Sequence, residues 1–232
     1  METATHDPRD GEGISRWRMA IGDADVDAAD GRTFLSEDPY TGEPWAEVPR
    51  ATAADVDRAV AAARAAFPAW KRTKPQVRAR LMLRLADLIE EECDRLARIE
   101  VRDNGKLLAE MAGQTRYIAE WYRYYAGAAD KLQGATIPSD KPDVFNFTRL
   151  EPLGVVGMIV PWNSPLLLLT WKLAPALATG NVAVVKPSEF TPCSTLAFME
   201  LVRLAGFPAG VVNVVTGYGA EAGAALVEHP DV

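Results

Sequence analysis

Leu153-Gly-Val-Val-Gly-Met-Ile-Val-Pro-Trp-Asn163-Ser-Pro-Leu166 is the stretch on which the fold turns. Its apolar, β-branched run over 155–160 suits a strand covered on both faces, and Pro161 and Pro165 then hold the backbone in a turn that opens a helix over about 165–179. The same order repeats twice downstream. A strand at 182–186 leads through Lys186-Pro-Ser-Glu189 into a helix at about 193–205, and a strand at 211–215 leads through Gly217-Tyr-Gly-Ala-Glu-Ala-Gly223 into another helix. Strands alternating with helices specify parallel pairing with right-handed crossovers. Residues 152–232 are therefore expected to form the first three βα units of a doubly wound, Rossmann-like α/β domain whose parallel sheet is incomplete within this chain.

In open sheets of this kind ligands bind at the carboxyl ends of the strands, where all three turns fall. Asn163 presents a side-chain amide at a helix N-terminus, suited to stabilising an anion; as a residue favoured at helix starts, it reads equally as a cap. Lys186 and Glu189 place an ammonium and a carboxylate three residues apart, able to grip ribose hydroxyls or to form a plain surface ion pair. Gly217, Gly219 and Gly223 would let backbone approach a pyrophosphate, although the spacing has one residue too many for the usual G-x-G-x-x-G turn, and a plain glycine turn fits as well.

Upstream, residues 1–16 are polar and read as a mobile tail. Residues 17–50 alternate short apolar runs with turn signals and read as an extended arm in need of a partner surface. Residues 51–132 read as helical. Thr52 and Asp55 form a capping-box start for a helix over about 53–66, which Pro68 is expected to end. Pro75 opens a long helix with Leu81, Leu85, Leu88, Cys93 and Leu96 on one face, ending near Asn104-Gly105. A third helix covers about 108–130, its Tyr117, Trp121, Tyr124 and Tyr125 expected in the core. Residues 133–151 contain Pro138, Pro142 and a β-prone stretch, and are expected to supply two exposed strands that pair with another copy.

A net charge of −7 over 232 residues offers no basic field for nucleic acid or anionic lipid. No apolar run reaches the ~20 residues of a membrane span, and the acidic start lacks the basic-then-apolar pattern of a secretory signal. Two cysteines make neither a disulfide framework nor a metal cluster and fit a reducing compartment, so a cytoplasmic protein without metal, nucleic-acid or membrane partners is expected.

The series Pro161-Trp-Asn-Ser-Pro165, Ala174-Pro-Ala-Leu-Ala-Thr-Gly-Asn181, Lys186-Pro-Ser-Glu189 and Gly206-Phe-Pro-Ala-Gly-Val-Val-Asn-Val-Val-Thr-Gly217 resembles the aldehyde dehydrogenase superfamily. The likeness extends back through Glu151-Pro-Leu-Gly154 and the helical region to Asp38-Pro-Tyr-Thr-Gly42. It implies NAD(P)-dependent oxidation of a small aldehyde to a carboxylic acid through a cysteine thiohemiacetal and thioester, in a homodimer or homotetramer. By that likeness Asn163 donates to the oxyanion. Lys186 and Glu189 hold the adenine ribose, with Ser188 between them also cofactor-binding; Ile159, Val160, Pro161 and Trp162, beside Asn163, line the cofactor cleft; Gly219 and Gly223 lie at the adenine-side helix. Glu189 favours NAD, since a carboxylate repels a 2′-phosphate, while Lys186 leaves NADP possible. Ser164 departs from the family, where many members carry Phe.

The family's nucleophilic Cys and water-activating Glu belong to segments beyond Val232. Cys193 opens a helix, where thiol pKa falls, but it belongs to a different segment on a helix expected to cover the sheet, and Cys93 reads as core; both are rejected as nucleophile. His6 and His229 are expected to face solvent. Two readings follow: the N-terminal half of a dehydrogenase that is not catalytic by itself, or a non-catalytic nucleotide-binding or assembly module.

Overall fold

Residues 155–159 and 182–186 are so rich in valine and so apolar that both faces of the strands they form must be covered, and the whole architecture follows from that covering. The computed structural model of the protein describes residues 13–232. In chain order these form β1 (Ser15–Arg16), β2 (Met19–Ile21), β3 (Ala24–Val26), β4 (Thr33–Asp38) and β5 (Glu43–Pro49). Four helices follow, α1 (Ala53–Arg72), α2 (Pro75–Glu91), α3 (Cys93–Asn104) and α4 (Leu108–Ala128), then β6 (Thr136–Ile137) and β7 (Asn146–Phe147). The last part is β8 (Val155–Ile159), α5 (Pro165–Ala178), β9 (Val182–Lys186), α6 (Cys193–Leu204), β10 (Val212–Val214) and α7 (Ala224–Glu228).

β8, β9 and β10 lie side by side and parallel, with Val155 opposite Val182 and Val212 opposite Ala183. The crossover helices α5 and α6 pack against them, α1 crosses all three strands, and α2, α3 and α4 form a further layer on α5 and α6. Every residue of β9 is buried, as the covered-on-both-faces reading requires. The sheet is nevertheless mixed rather than wholly parallel. β2 runs antiparallel beside β10, Ala20 opposite Val214, and β3 continues the edge. The expected arm thus finds its partner surface in the sheet itself: Met19 and Ala20 are buried, and the Gly22 amide donates to Asn213 Oδ1 at 2.9 Å. The open edge of β10, with its unpaired backbone groups, is what those residues satisfy.

The boundaries of the tail and of two helices differ from expectation. Residues 1–12, with His6, lie outside the described residues, but Ser15 and Arg16 are a strand, paired parallel with Ala46 and Glu47. Helix α1 starts at its capping box, the Thr52 amide donating to Asp55 Oδ2 at 2.8 Å, and then runs through Pro68 to Arg72. An interior proline costs about 3 kcal/mol. Burial of the Trp70 indole against Phe207, ring centroids 5.7 Å apart, returns a comparable amount at about 25 cal/mol per Å2. The single long helix from Pro75 is in fact two, broken at Glu92 (φ −103°, ψ 10°). The five-residue step from Leu88 to Cys93 is out of phase with a helical stripe, and the break brings both onto the buried side.

Of the aromatic set on α4 expected in the core, only Tyr125 packs against it, partly buried. Tyr117 and Tyr124 are 53% and 67% exposed and, with exposed Trp171 of α5, surround half-buried Trp121; Tyr122 is the aromatic that α4 buries outright. β6 and β7 form a two-rung antiparallel hairpin, and residues 131–151 are exposed throughout.

Candidate functional site

The end of β8 places the first segment. Ile159, Pro161, Trp162 and Asn163 are exposed along the turn that leaves the sheet, whereas Val160 is buried beneath them, its amide donating to the Lys186 carbonyl at 3.0 Å. Asn163 is not the cap of α5. Ser164 occupies that position without capping, its hydroxyl turned back onto the Asn163 carbonyl at 2.7 Å, and Lys106 Nζ donates to the same hydroxyl at 3.2 Å. The open N–H of Leu166 is taken instead by Glu100 Oε1 of α3, at 2.8 Å. The Asn163 carboxamide is left projecting at the rim with no hydrogen bond to another described residue, available to a ligand.

Lys186 ends β9 at 2% exposure, which excludes a surface ion pair. Its ammonium donates to Glu189 Oε2 at 2.9 Å, as a buried cation requires. Burial works to raise the Glu189 pKa, but the residue's own backbone amide, the Lys186 ammonium and the Gly219 amide outweigh it and hold the carboxyl below the ordinary glutamate range. Glu189 is therefore an ionised carboxylate, part-exposed, with the third segment beside it. Ser188 is nearly buried and its hydroxyl accepts from the Phe190 amide at 3.3 Å, so it shapes the turn.

In the third segment the surplus residue of the glycine spacing is absorbed by a π-helical turn over Gly219–Gly223, closed by the Gly223 amide on the Tyr218 carbonyl at 3.3 Å. Gly217 is at φ +139°, and a Cβ there would meet the Ala51 nitrogen at 3.1 Å. That close approach exists because the end of the arm clamps the turn: Ala51 N donates to the Thr216 carbonyl at 2.9 Å, and Arg50 pairs with Glu221 and stacks 4.7 Å over Tyr218. Gly219 is exposed and Gly223 is buried. Trp162, Glu189, Phe190, Thr191, Tyr218 and, from the arm, Phe34 contribute to the lining of an open cavity of about 520 Å3.

Of the residues expected at the site, the structure brings Ile159, Pro161, Trp162, Asn163, Lys186, Glu189 and Gly219 to one edge, with Ser188 supporting the turn; Val160 and Gly223 are covered. Arg50, Glu100, Asp103 and Lys106 were missed. For Glu100 and Asp103 a signal existed: they continue the buried face of α3 after Leu96, where an acidic residue has no reason to be unless it is hydrogen-bonded. Neither thiol is available at this edge. Cys193 is fully buried, and burial followed by the nearby Asp103 carboxylate pushes its pKa well up; Cys93 is buried on α3. His229 is mostly covered, with Nε2 3.3 Å from Asp57 Oδ1, against the expectation of a solvent-facing side chain. Among the described residues no group of three His, Cys, Asp or Glu side chains could hold a metal, and no helix is long and apolar enough to cross a membrane.

A sheet whose carboxyl edge carries a projecting amide, a pinned carboxylate and a glycine turn defines a dinucleotide-binding type of α/β domain. The sequence profile of the aldehyde dehydrogenase family matches residues 26–232, and the chain belongs to that family. It is 53% identical over 207 residues to a hydroxyisobutyraldehyde dehydrogenase of Mycolicibacterium austroafricanum, covering 88% of this chain and 40% of that one. An aldehyde dehydrogenase of Bacillus cereus, solved with NAD+, superposes with a TM-score of 0.91 at 46% identity over 94% of this chain and 45% of its own. An NAD-dependent aldehyde dehydrogenase of Sinorhizobium meliloti gives a TM-score of 0.91 at 42% identity, over 95% and 44%. The chain thus spans less than half the length of the relatives it matches.

Proposed function

We propose that the protein carrying this chain oxidises a small aldehyde to a carboxylic acid with NAD as hydride acceptor, and that this chain supplies the oxyanion donor and one wall of the cofactor cleft. The observation that carries the reading is the projecting Asn163 carboxamide on the same sheet edge as the Lys186–Glu189 pair. The residues fit a dinucleotide: an ionised, part-exposed carboxylate with a cation behind it accepts hydrogen bonds donated by ribose hydroxyls and opposes a 2′-phosphate, which favours NAD over NADP. When bound, NAD takes the hydride.

The chain's own residues divide the remaining work. Glu189, set by Lys186, holds the ribose, and Ser188 keeps that turn closed. Ile159, Pro161 and Trp162 form the exposed wall, with Val160 supporting it from beneath, while Gly219 and the covered Gly223 shape the adenine side. Asn163 donates its amide N–H to the oxygen that becomes negative when the aldehyde carbonyl is attacked, charge that a preorganised donor stabilises far better in the attacked state than in the free aldehyde. The nucleophile is neither Cys93 nor Cys193, both of which are buried. The exposed hairpin over 133–151 suits a homo-oligomer, and buried, unpaired thiols suit a reducing compartment such as the cytoplasm.

The test is Asn163→Ala in the intact protein, assayed by aldehyde-dependent formation of reduced nicotinamide. A loss of about 10²–10³ in kcat with the KM for NAD within about twofold is expected, the size seen when one oxyanion donor is removed. Unchanged turnover would remove the assigned role.

A further inference from the structure

We propose that Glu100 and Asp103, one turn apart on the buried face of α3, are positioning residues: Glu100 sets the turn that presents Asn163, and Asp103 sets the turn that presents Lys186 and Glu189. The catalytic consequence rests on the functional reading above; the structural assignment does not.

Two helices leave the candidate site, and both start without a local cap. Ser164 of α5 spends its hydroxyl on the Asn163 carbonyl, and the residue before α6 is Pro192, which has no capping side chain. The first N–H groups of each helix therefore need acceptors from elsewhere. Helix α3 provides both. Glu100 Oε1 accepts from Leu166 N at 2.8 Å, three residues beyond Asn163, with the Ser194 hydroxyl at 3.5 Å. Asp103 Oδ2 accepts from Cys193 N at 2.8 Å, four residues beyond Glu189, while Oδ1 accepts from Ser36 Oγ at 2.8 Å. The carboxylates are 1% and 3% exposed, and carboxylates at that depth are tolerated when strongly hydrogen-bonded. The positive ends of two helix dipoles meet them there.

The arrangement is a strut. An i, i+3 pair on one helix fixes the spacing between two helix starts, and each start is continuous with a site-bearing turn. Ser36 of β4 donates to Asp103 from the arm and Cys193 N donates from α6, so the arm, α3 and α6 lock to one another through one side chain. Asp103 and Asn104 also line the open cavity whose other walls include Trp162 and Glu189. Burial, ahead of the hydrogen bonds that oppose it, raises both carboxyls to about 7, which marks how much desolvation the two contacts must offset.

The experiment measures amide hydrogen exchange at Leu166 and Cys193 in this chain, and kcat and KM for NAD in the intact protein, for Glu100→Ala, Glu100→Gln, Asp103→Ala and Asp103→Asn. Glu100→Ala is expected to speed exchange at Leu166 by about tenfold, to lower kcat by about tenfold or more, and to leave the KM for NAD within twofold. Asp103→Ala is expected to speed exchange at Cys193 similarly and to raise the KM for NAD more than it lowers kcat. The amide variants keep a carbonyl acceptor and should restore at least half of each loss; if an alanine variant fails to fold, the amide variant's exchange and KM–kcat split decide. Unchanged exchange at Leu166 and Cys193, or equal effects of both substitutions on kcat and KM, overturns the assignment. Altered exchange together with a wild-type protein inactive on aldehydes supports the strut and sinks the functional reading instead.

Discussion

Asn163 and Glu100 divide one task between two side chains. Had Asn163 capped α5 itself, its amide oxygen would be turned onto the helix and its N–H groups aimed by that bond; because Glu100 takes the Leu166 amide, the carboxamide is left outward. The buried carboxylates that allow this carry a signature in pH. Glu100 rises from 4.5 and Asp103 from 3.8 to about 7 in the folded chain, burial being the first cause in both. Around Glu100 lie Asp103 and Lys106 on its own side and Leu166 and Ser194 from α5 and α6; around Asp103 lie Ser36, Trp45 and Cys193. An acid whose folded pKa is raised holds a proton that the unfolded chain has released, so the folded state binds more protons between about pH 4 and 7. The contribution of these two groups to stability is accordingly full below about pH 4 and declines as pH rises to about 7, with a slope of up to about 1.4 kcal/mol per pH unit per group. Glu100→Gln and Asp103→Asn should each flatten urea-derived stability against pH across that window. A steeper slope, or none lost, would mean the carboxylates are ionised throughout.

Elements show which local signals are enough. Thr52 and Asp55 announce α1, Pro165 announces α5, and the valine runs announce β8 and β9, because each signal acts within a turn of the chain. Pro68 misleads because the compensation, Trp70 against Phe207, joins residues far apart in sequence. The step of five between Leu88 and Cys93 was readable as the break at Glu92, while the joining of β2 to β10 was not, since Ala20 and Val214 share no local pattern. The aromatic set of α4 illustrates the reverse error, helical spacing being common to buried and exposed stripes. In the candidate site the outward residues were legible from strand ends; the burial of the supporting acids was signalled by their place on the apolar face of α3, but their partners were not, because those are backbone amides of other helices. The glycine turn gives an element-scale prediction. At Gly217 an alanine must adopt φ +139° and bring its Cβ within 3.1 Å of Ala51 N. Gly217→Ala should destabilise by about 1–3 kcal/mol in urea unfolding and weaken nucleotide binding, whereas Gly219→Ala, where a Cβ has open space, should cost less than about 1 kcal/mol. Equal effects at both positions would show that the arm does not clamp the turn.

On the scale of the whole molecule the chain divides into a body that buries its own apolar surface and a hairpin that does not. The mixed sheet is closed at β10 by β2 and β3, and α1, α5 and α6 cover its faces. The hairpin over 131–151 projects with every residue exposed, held by two ladder rungs between β6 and β7. A two-stranded hairpin of that size is at best marginal alone in water. Ile137, Val144, Phe145, Phe147 and Leu150 are exposed on it, with the Phe145 and Phe147 rings 5.5 Å apart, a concentration of apolar surface that a solitary molecule gains nothing by presenting. A second copy of the chain meeting this hairpin would bury those side chains and extend the short ladder, the two things it lacks. Replacing Phe145 and Phe147 together with Asp puts two charges where an interface would have to desolvate them, at a cost of several kcal/mol each. Sedimentation of the intact protein should therefore shift from oligomer to monomer in the double variant, while the melting of the body changes little because neither side chain touches its core. Persistence of the wild-type oligomer would place the interface elsewhere and leave the hairpin's apolar face to be covered by another part of the protein.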